Sequence, residues 1–346
     1  MIGFPFTRVG LDAGTANTLL YVKGRGTAVN EPSIVTVRTS NGDIEAVGGE
    51  AEAALGRTPQ KFHTARPIRA GIISDLRLFD GMLHRFLGKA DLKGPLHRLR
   101  AAVAVPSGTT SVERMAILES LRNAGAVDVL LVDQTLAAAR GAGLPIEESR
   151  GRMVVNIGAG VTDAAIITLG SCIYARAIRV AGDEMDAAIA AHVRGNHGLL
   201  IGERTAERLK IQIGSALPGG CDSSWCIKGR CISRGVPREV AVREGEVREA
   251  VEPALQRILG VVREALEHAP PEISADLIET GIVLTGGSAL LRNLDQFISR
   301  NCGLPVRTAP DPFSCVILGL GYQLNHLRRS EWRRFRANGA ALGDEW

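Results

Sequence analysis

The chain has 346 residues, of which 45% are hydrophobic, 23% charged and 4% aromatic, and its net charge is +4. That length and apolar content predict about two domains with sizeable cores, while the small net charge and the scarcity of aromatics argue against a nucleic-acid partner. Six cysteines in so long a chain do not make a disulfide framework, the start MIGFPFTR lacks the charged leader and apolar run of a signal peptide, and no stretch approaches about 18 consecutive apolar residues, so a cytoplasmic chain that does not cross the membrane is expected.

In chain order, VGLDAGTANTLLYVKGRG alternates apolar runs with a glycine turn and predicts a β-hairpin over 9–22. VNEPSIVTVRT and IEAVGG continue as strands, and LFDGMLHRFLGKA carries Phe79, Met82, Leu83, Phe86 and Leu87 at helical spacing. After the basic loop KGPLHRLR come a buried strand, AAVAVP, and a helix opened by Ser111 with Glu113 behind it. VDVLLVDQ predicts another buried strand and TLAAARGAGL a helix of small residues. Then the pattern restarts: RMVVNIGAGVTDAAIITLG repeats the opening hairpin 144 positions later, with Asn156 where Asp12 stood and Gly158 where Gly14 stood. A strand (CIYARAIRV) follows, then a helix from AGDEMDAAIAAHV and a second over 205–213. PGGCDSSWCIKGRCISRGVP predicts a strand pair with loops. A long amphipathic helix is stopped by Pro270 and Pro271, GIVLTGGSALLRNLDQFI gives strand, glycine turn and helix, and the last helix spans 313–327 before an Arg-rich tail.

Two turns carry the functional expectation. At Gly14, Thr15, Ala16 and Asn17, successive backbone N–H groups at a tight turn suit a terminal phosphate, with Asp12 directed at its magnesium through water; an ordinary hairpin turn is the alternative. The repeat at Asn156 and Gly158 favours the first, because two facing turns clamp a phosphate chain from both sides. Gly286, Gly287 and Ser288, between a buried strand and a helix, form a third place where backbone approaches a ligand closely. Glu207 and Lys210 lie three apart on one helix face, as a surface ion pair or as ribose contacts.

LDAGTANTLLYVKGRGTAVNEPSIV, ARPIRAGIISD, VPSGTTSVERMAI, AAARGAGLPI, VAGDEMDAAI, GERTAERLKIQIGSA, GVPRE, VLTGGSALLRNLD and DPFSCVILG together resemble the MreB and Mbl family of bacterial actin homologues, in the family's order and over about residues 9–325. The resemblance implies an α/β, actin-like ATPase fold: two similar α/β domains around a nucleotide cleft, each with a smaller subdomain. Domain I is expected over 1–150 with a small subdomain about 30–65, completed by the helix at 313–327; domain II over 151–312 with a small subdomain about 183–250; and a basic tail over 328–346. The cofactors implied are ATP and Mg2+. Carried over by position, Asp12 and Gly14 to Asn17 form the first phosphate loop and Gly158, Ala159, Gly160 and Thr162 the second. Gly182, Glu207 and Lys210 take the ribose and adenine side, and Gly286, Gly287, Ser288 and Leu290 close over the nucleoside. The family's proteins polymerise on the inner face of the cell membrane and organise cell-wall synthesis, so self-assembly, copolymerisation with another MreB-like protein, and the membrane surface are the partners implied.

This chain departs from the family at two catalytic positions. Where the family reads IEEP it has Val132-Asp133-Gln134-Thr135, and where the family reads DIGGGT it has Asn156-Ile157-Gly158-Ala159-Gly160-Val161-Thr162. Losing a positioned general base lowers a rate by roughly 10²–10⁴-fold, so slow or absent hydrolysis is expected. Gln134 still orients water through its amide, whereas Asn156 lacks a full charge. Asp133 is a poor substitute, because strand neighbours face opposite sides.

Other features point less sharply. Cys221, Cys226 and Cys231 recur every five residues, a spacing unlike zinc pairs. The apolar start MIGFPF, the loop LKGPLHRLR and the tail RRSEWRRFR, with five Arg and with Trp332 and Phe335 three apart, are candidate membrane contacts. Rival readings on the same fold are a nucleotide-binding adaptor that does not polymerise, and an enzyme of the Hsp70 or sugar-kinase type.

Overall fold

The computed structural model describes residues 6–92, 98–218, 223–327 and 332. The apolar start over 1–5, the loop at 93–97, Cys221 and the tail other than Trp332 lie outside them. Two compact units divide the chain: the first comprises residues up to Glu148, Leu169–Cys172 and the segment from Phe313 on; the second comprises Ser149–Thr168 and Ile173–Pro312.

In the first unit the hairpin β1 (Thr7–Ala13) and β2 (Asn17–Val22) is extended by β3 (Gly26–Pro32). A three-stranded antiparallel sheet is built from β4 (Val35–Arg38), β5 (Ile44–Val47) and, after the short α1 (Gly49–Ala53), β6 (Phe62–Ala65), and a small hairpin pairs β7 (Ile68–Arg69) with β8 (Ile72–Ile73). α2 (Leu76–Lys89) follows, its first turn closed by the Asp75 side chain accepting from Leu78 N–H at 2.9 Å, and its apolar spacing buries Phe79, Met82, Leu83, Phe86 and Leu87. β9 (Leu99–Val105), α3 (Ser111–Asn123), β10 (Ala126–Asp133) and α4 (Gln134–Gly141) complete the run. α3 opens at Ser111 as expected, and the residue before it, Thr110, is the cap: Thr110 and Glu113 exchange side chain to backbone bonds.

The second unit opens with β11 (Arg152–Ile157), β12 (Thr162–Thr168) and β13 (Ser171–Ile178). α5 (Gly182–His197), β14 (Leu199–Leu200) and α6 (Glu203–Ile213) follow, so α6 starts two residues before the 205–213 expected. β15 (Ser224–Cys231) and β16 (Pro237–Arg243) form an antiparallel pair beside β14. Next are α7 (Glu244–Glu267), α8 (Pro271–Thr280), β17 (Ile282–Thr285), a 3-10 turn (Gly287–Leu290), α9 (Leu294–Cys302) and β18 (Val306–Thr308). The final helix, α10 (Cys315–His326), returns to the first unit.

The repeat read from the two hairpins is a repeat of whole sheets. The first unit orders its strands β3-β2-β1-β9-β10 and the second β13-β12-β11-β17-β18. In each, the hairpin is antiparallel and the next two pairings are parallel. The interior strands β9 and β11 are buried almost throughout, which accounts for their apolar runs.

Candidate functional site

The turn between β1 and β2 is fixed by its own backbone and by Ser33. Gly14 N–H donates to Asn17 O at 3.0 Å, the Ser33 hydroxyl donates to Gly14 O at 2.7 Å, and Ser33 N–H donates to Ala16 O at 2.7 Å. Thr18 Oγ1 lies 2.8 Å from Ser33 Oγ, tying the start of β2 to the same residue. Three carbonyls of the turn are thereby taken by the protein, while no acceptor among the described residues takes the N–H of Thr15 or Ala16. Such a turn presents donors and hides acceptors, as an anion requires. Gly14 is needed here because a Cβ would stand 2.7 Å from Asn17 O. The Thr15 hydroxyl is already engaged, accepting from Gly71 N–H at 3.0 Å.

The turn between β11 and β12 repeats this arrangement with different supports. Gly158 N–H donates to Val161 O at 2.9 Å, and Gly158 O accepts from Ser288 Oγ at 2.7 Å and from Gly182 N–H at 3.2 Å. Asp183 N–H donates to Ala159 O at 2.7 Å. Ala159 and Gly160 keep N–H groups with no acceptor among the described residues. Gly182 and Ser288, expected near the nucleoside, thus also hold the second turn in shape. Gly286 has φ +85, and a Cβ on it would lie 2.3 Å from Ile157 O and 2.9 Å from Asn156 Oδ1, so only glycine lets this junction close on the end of β11. Thr162 departs from its expected phosphate-loop role in one respect: its hydroxyl is fully buried and donates to Val180 O at 2.7 Å, so only its neighbours' backbone remains to meet a ligand.

At the end of β1, Asp12 is 9% exposed, and burial pushes its carboxyl from an ordinary 3.8 up to about 7. An acid whose folded pKa is raised binds more protons folded than unfolded, so stability falls as pH rises from about 4 to about 7 and levels off above that. The nucleotide-free protein is therefore expected to lose on the order of 3 kcal/mol relative to Asp12→Asn between about pH 4.5 and about pH 7.5, measured by urea midpoints. A pH-independent difference between the two proteins would refute the burial of an ionising carboxyl at this point.

Asn156, in the position equivalent to Asp12, is 4% exposed, and its Oδ1 accepts from Thr285 Oγ1 at 3.1 Å. In the first unit, Asp133 ends β10 and Gln134 begins α4, so the strand alternation expected to separate their side chains does not operate at this junction. Asp133 Oδ1 accepts from Ser107 Oγ and Thr135 Oγ1, both at 3.3 Å, and burial raises its pKa. The half-buried amide of Gln134 has no partner among the described residues.

Glu207 and Lys210 do not pair. Lys210 Nζ instead meets Asp186 Oδ2 at 2.8 Å and donates to Gly182 O at 3.1 Å, bridging α6 to the first turn of α5, while Glu207 is exposed. Asp186 is pushed up to about 6 by burial, against the lowering effect of Lys210, and its Oδ1 is buried without a hydrogen bond. Leu290 is 63% exposed at the end of the 3-10 turn. Ser33 and Asp186 are absent from the expected set. Ser33 lies in the NEPS stretch and Asp186 in VAGDEMDAAI, but nothing local distinguishes either from a surface residue; their roles arise from partners 19 and 24 positions away.

One membrane-facing expectation changes. Trp332 is fully buried, with the Arg100 guanidinium 5.5 Å from its ring, and the same guanidinium lies 3.9 Å from the Phe6 ring while pairing with Asp128 at 2.8 Å. Trp332 is therefore a packing residue, not one exposed for lipid. Cys226 is exposed and Cys231 buried, as their odd separation along β15 requires. Among the described residues no group of three or more His, Cys, Asp and Glu side chains is arranged to hold a metal ion.

Comparison with known proteins adds to this geometry. Residues 6–331 match the family model of the MreB/Mbl protein. The chain is 45% identical over 319 residues to the cell shape-determining protein MreB of Escherichia coli strain K12, covering 91% of this chain and 92% of that one. It is 39% identical to the cell shape-determining protein Mbl of Bacillus subtilis strain 168, covering 94% and 98%. Among solved structures it superposes on MreB5 of Spiroplasma citri bound to AMPPNP with a TM-score of 0.89 at 32% identity, covering 97% and 99%. A MamK double helical filament, at 21% identity and a TM-score of 0.80 over 94% and 100%, shares the actin-like fold.

Proposed function

The chain belongs to the MreB/Mbl family, and from that premise we propose that it is an ATP-binding cytoskeletal protein that self-assembles into filaments on the inner face of the cell membrane and directs cell shape and wall synthesis. The observation that carries the nucleotide part is the duplicated turn: at Gly14 and again at Gly158 the carbonyls are drawn into the protein, and the N–H groups of Thr15, Ala16, Ala159 and Gly160 are left for phosphate oxygens. The AMPPNP bound to the Spiroplasma MreB5 is consistent with this ligand.

Magnesium fits the residues present. Asp12 is a buried carboxyl raised to about 7 with no cationic partner among the described residues, a state that a cation arriving with the nucleotide relieves. Asp12 would hold such an ion, which would supply charge neutralisation for the phosphates. The chain's own part is to bind and orient: backbone donors grip the phosphates, Lys210 and Asp186 hold α5 and α6 together beside Gly182, and the amide of Gln134 orients water. With Asn156 and Gln134 in place of acids, hydrolysis is slow or absent in this reading.

Self-assembly draws support from apolar side chains that the fold leaves uncovered. Val112 and Met115, three apart on α3, are 77% and 58% exposed. No helix among the described residues is long and apolar enough to cross a membrane, so contact with lipid is peripheral in this reading. Sedimentation of the purified chain with ATP, with and without anionic vesicles, tests it. Pelleting that requires ATP, and filaments in negative stain, are expected; a chain that binds ATP and stays monomeric in both conditions would be an adaptor instead.

A further inference from the structure

In the first unit, remote in sequence from the glycine turns, α2 and the β4–β5 hairpin border an open surface depression of about 640 Å³ that the nucleotide reading does not use. In its floor residue 81 is glycine: a Cβ there would stand 2.3 Å from Ile44 Cδ1, so the Ile44 side chain packs over the helix at this point and would have to shift to admit a larger residue. Around the floor, Arg77, His84 and Arg85 share one face of α2 with Gly81, since their separations are those of neighbouring helical turns.

The charges of this depression do not cancel. Arg38 is taken by Glu45, with Nη2 to Oε2 at 2.8 Å. Arg77 Nη2 donates to Gly42 O at 2.8 Å, and Arg85 donates to Glu45 O at 2.9 Å and to Ile44 O. These acceptors are neutral carbonyls, and neither Arg77 nor Arg85 has a carboxylate in ion-pair range among the described residues. Asp43, the other acid of the lining, accepts from the Asn41 side-chain amide. Two guanidinium groups held in place by backbone carbonyls, each with further N–H donors in a planar fork, are preorganised for carboxylates.

We propose that this depression is a docking site for the carboxylate side chains of an acidic segment in a partner protein. Its volume is in the range that holds several side chains or a small molecule, well beyond one inorganic anion. Asp43 and Glu45 in the lining oppose the concentrated charge of a phosphate but tolerate single charges spaced along a peptide, and Ile44 supplies an apolar strip between them.

Fluorescence anisotropy of a fluorescein-labelled hexaglutamate peptide against the full chain at low ionic strength is the test. Binding that weakens with added salt is expected, and both Arg77→Ala/Arg85→Ala and His84→Glu should weaken it by about tenfold or more. The second variant leaves the carbonyl clamps of Arg77 and Arg85 in place and sets a competing carboxylate in the depression, so it decides the matter should the first disturb the hairpin. Circular dichroism confirms that each variant is folded. Equal peptide binding by a folded His84→Glu chain overturns the proposal, as does the absence of binding by the wild type. Capture of phosphatidylglycerol vesicles through Arg77 and Arg85 without peptide binding also overturns it, in favour of a lipid headgroup.

Discussion

The variant Asn156→Asp is expected to hydrolyse ATP about 10²-fold faster than the wild-type chain, the lower part of the range that a positioned acid–base group contributes. The substitution is nearly isosteric. Asn156 Oδ1 accepts from Thr285 Oγ1 at 3.1 Å, and a carboxylate keeps that acceptor while adding the charge needed to polarise an attacking water. The space is suited to it, since the glycine at 286 leaves room beside this oxygen. The equivalent position of the first sheet already carries an acid, Asp12, at the same place in the same strand register. Because residue 156 is buried, the new carboxyl will be raised above the ordinary carboxylate range, and the gain should grow with pH as it ionises. Phosphate release at saturating ATP, with the ATP dissociation constant measured in parallel, separates catalysis from binding. Equal rates at equal affinity would show that Asn156 does not limit the chemistry.

Replacing Gly319 by alanine should destabilise the first unit by about 3 kcal/mol or more, as overpacking against rigid backbone does. α4 and α10 approach so closely that each helix needs a glycine at the contact. A Cβ on Gly319 would lie 1.8 Å from Ala137 O, and one on Gly141 would lie 1.7 Å from Cys315 O. Both obstacles are backbone atoms, which cannot rotate aside. The helices would have to separate, opening the layer in which Ala137, Ala138, Ile317, Leu320 and Leu324 are buried. Urea midpoints against wild type measure the loss, with Gly260→Ala as the control because a Cβ at that helical position meets nothing. A midpoint for Gly319→Ala within error of wild type would mean that the two helices slide apart freely.

Local chemistry made much of the fold legible. The alternation around Gly14 and Gly158 marked both hairpins, because a tight turn between buried strands requires glycine and because strand periodicity is short-ranged. The apolar spacing in 78–90 located α2 for the same reason: a helix declares its buried face within a few turns. The opening of α3 at Ser111 was legible in the same way, whereas its cap, the preceding Thr110, emerges from the bond it accepts from Glu113 N–H. The polar residue two before each glycine, Asp12 and Asn156, likewise stood out from sequence alone.

What tertiary structure decided is who meets whom. Spacing on one helix offered Glu207 to Lys210, yet the lysine pairs with Asp186 on another helix, because a buried carboxyl attracts an ammonium more strongly than an exposed one screened by water. Ser33, from the far end of the next strand, shapes the first turn, and Ser288, 130 positions away, shapes the second. Thr162 turns its hydroxyl inward and Trp332 is packed against Arg100, against the expectation for each. Residue types and local periodicity thus determined the elements, the repeat and the glycine turns, which depend on interactions within a few residues. The partners of each polar group were settled only when packing brought distant segments together, because the choice rests on burial and distance, and neither is a property of neighbours in the chain.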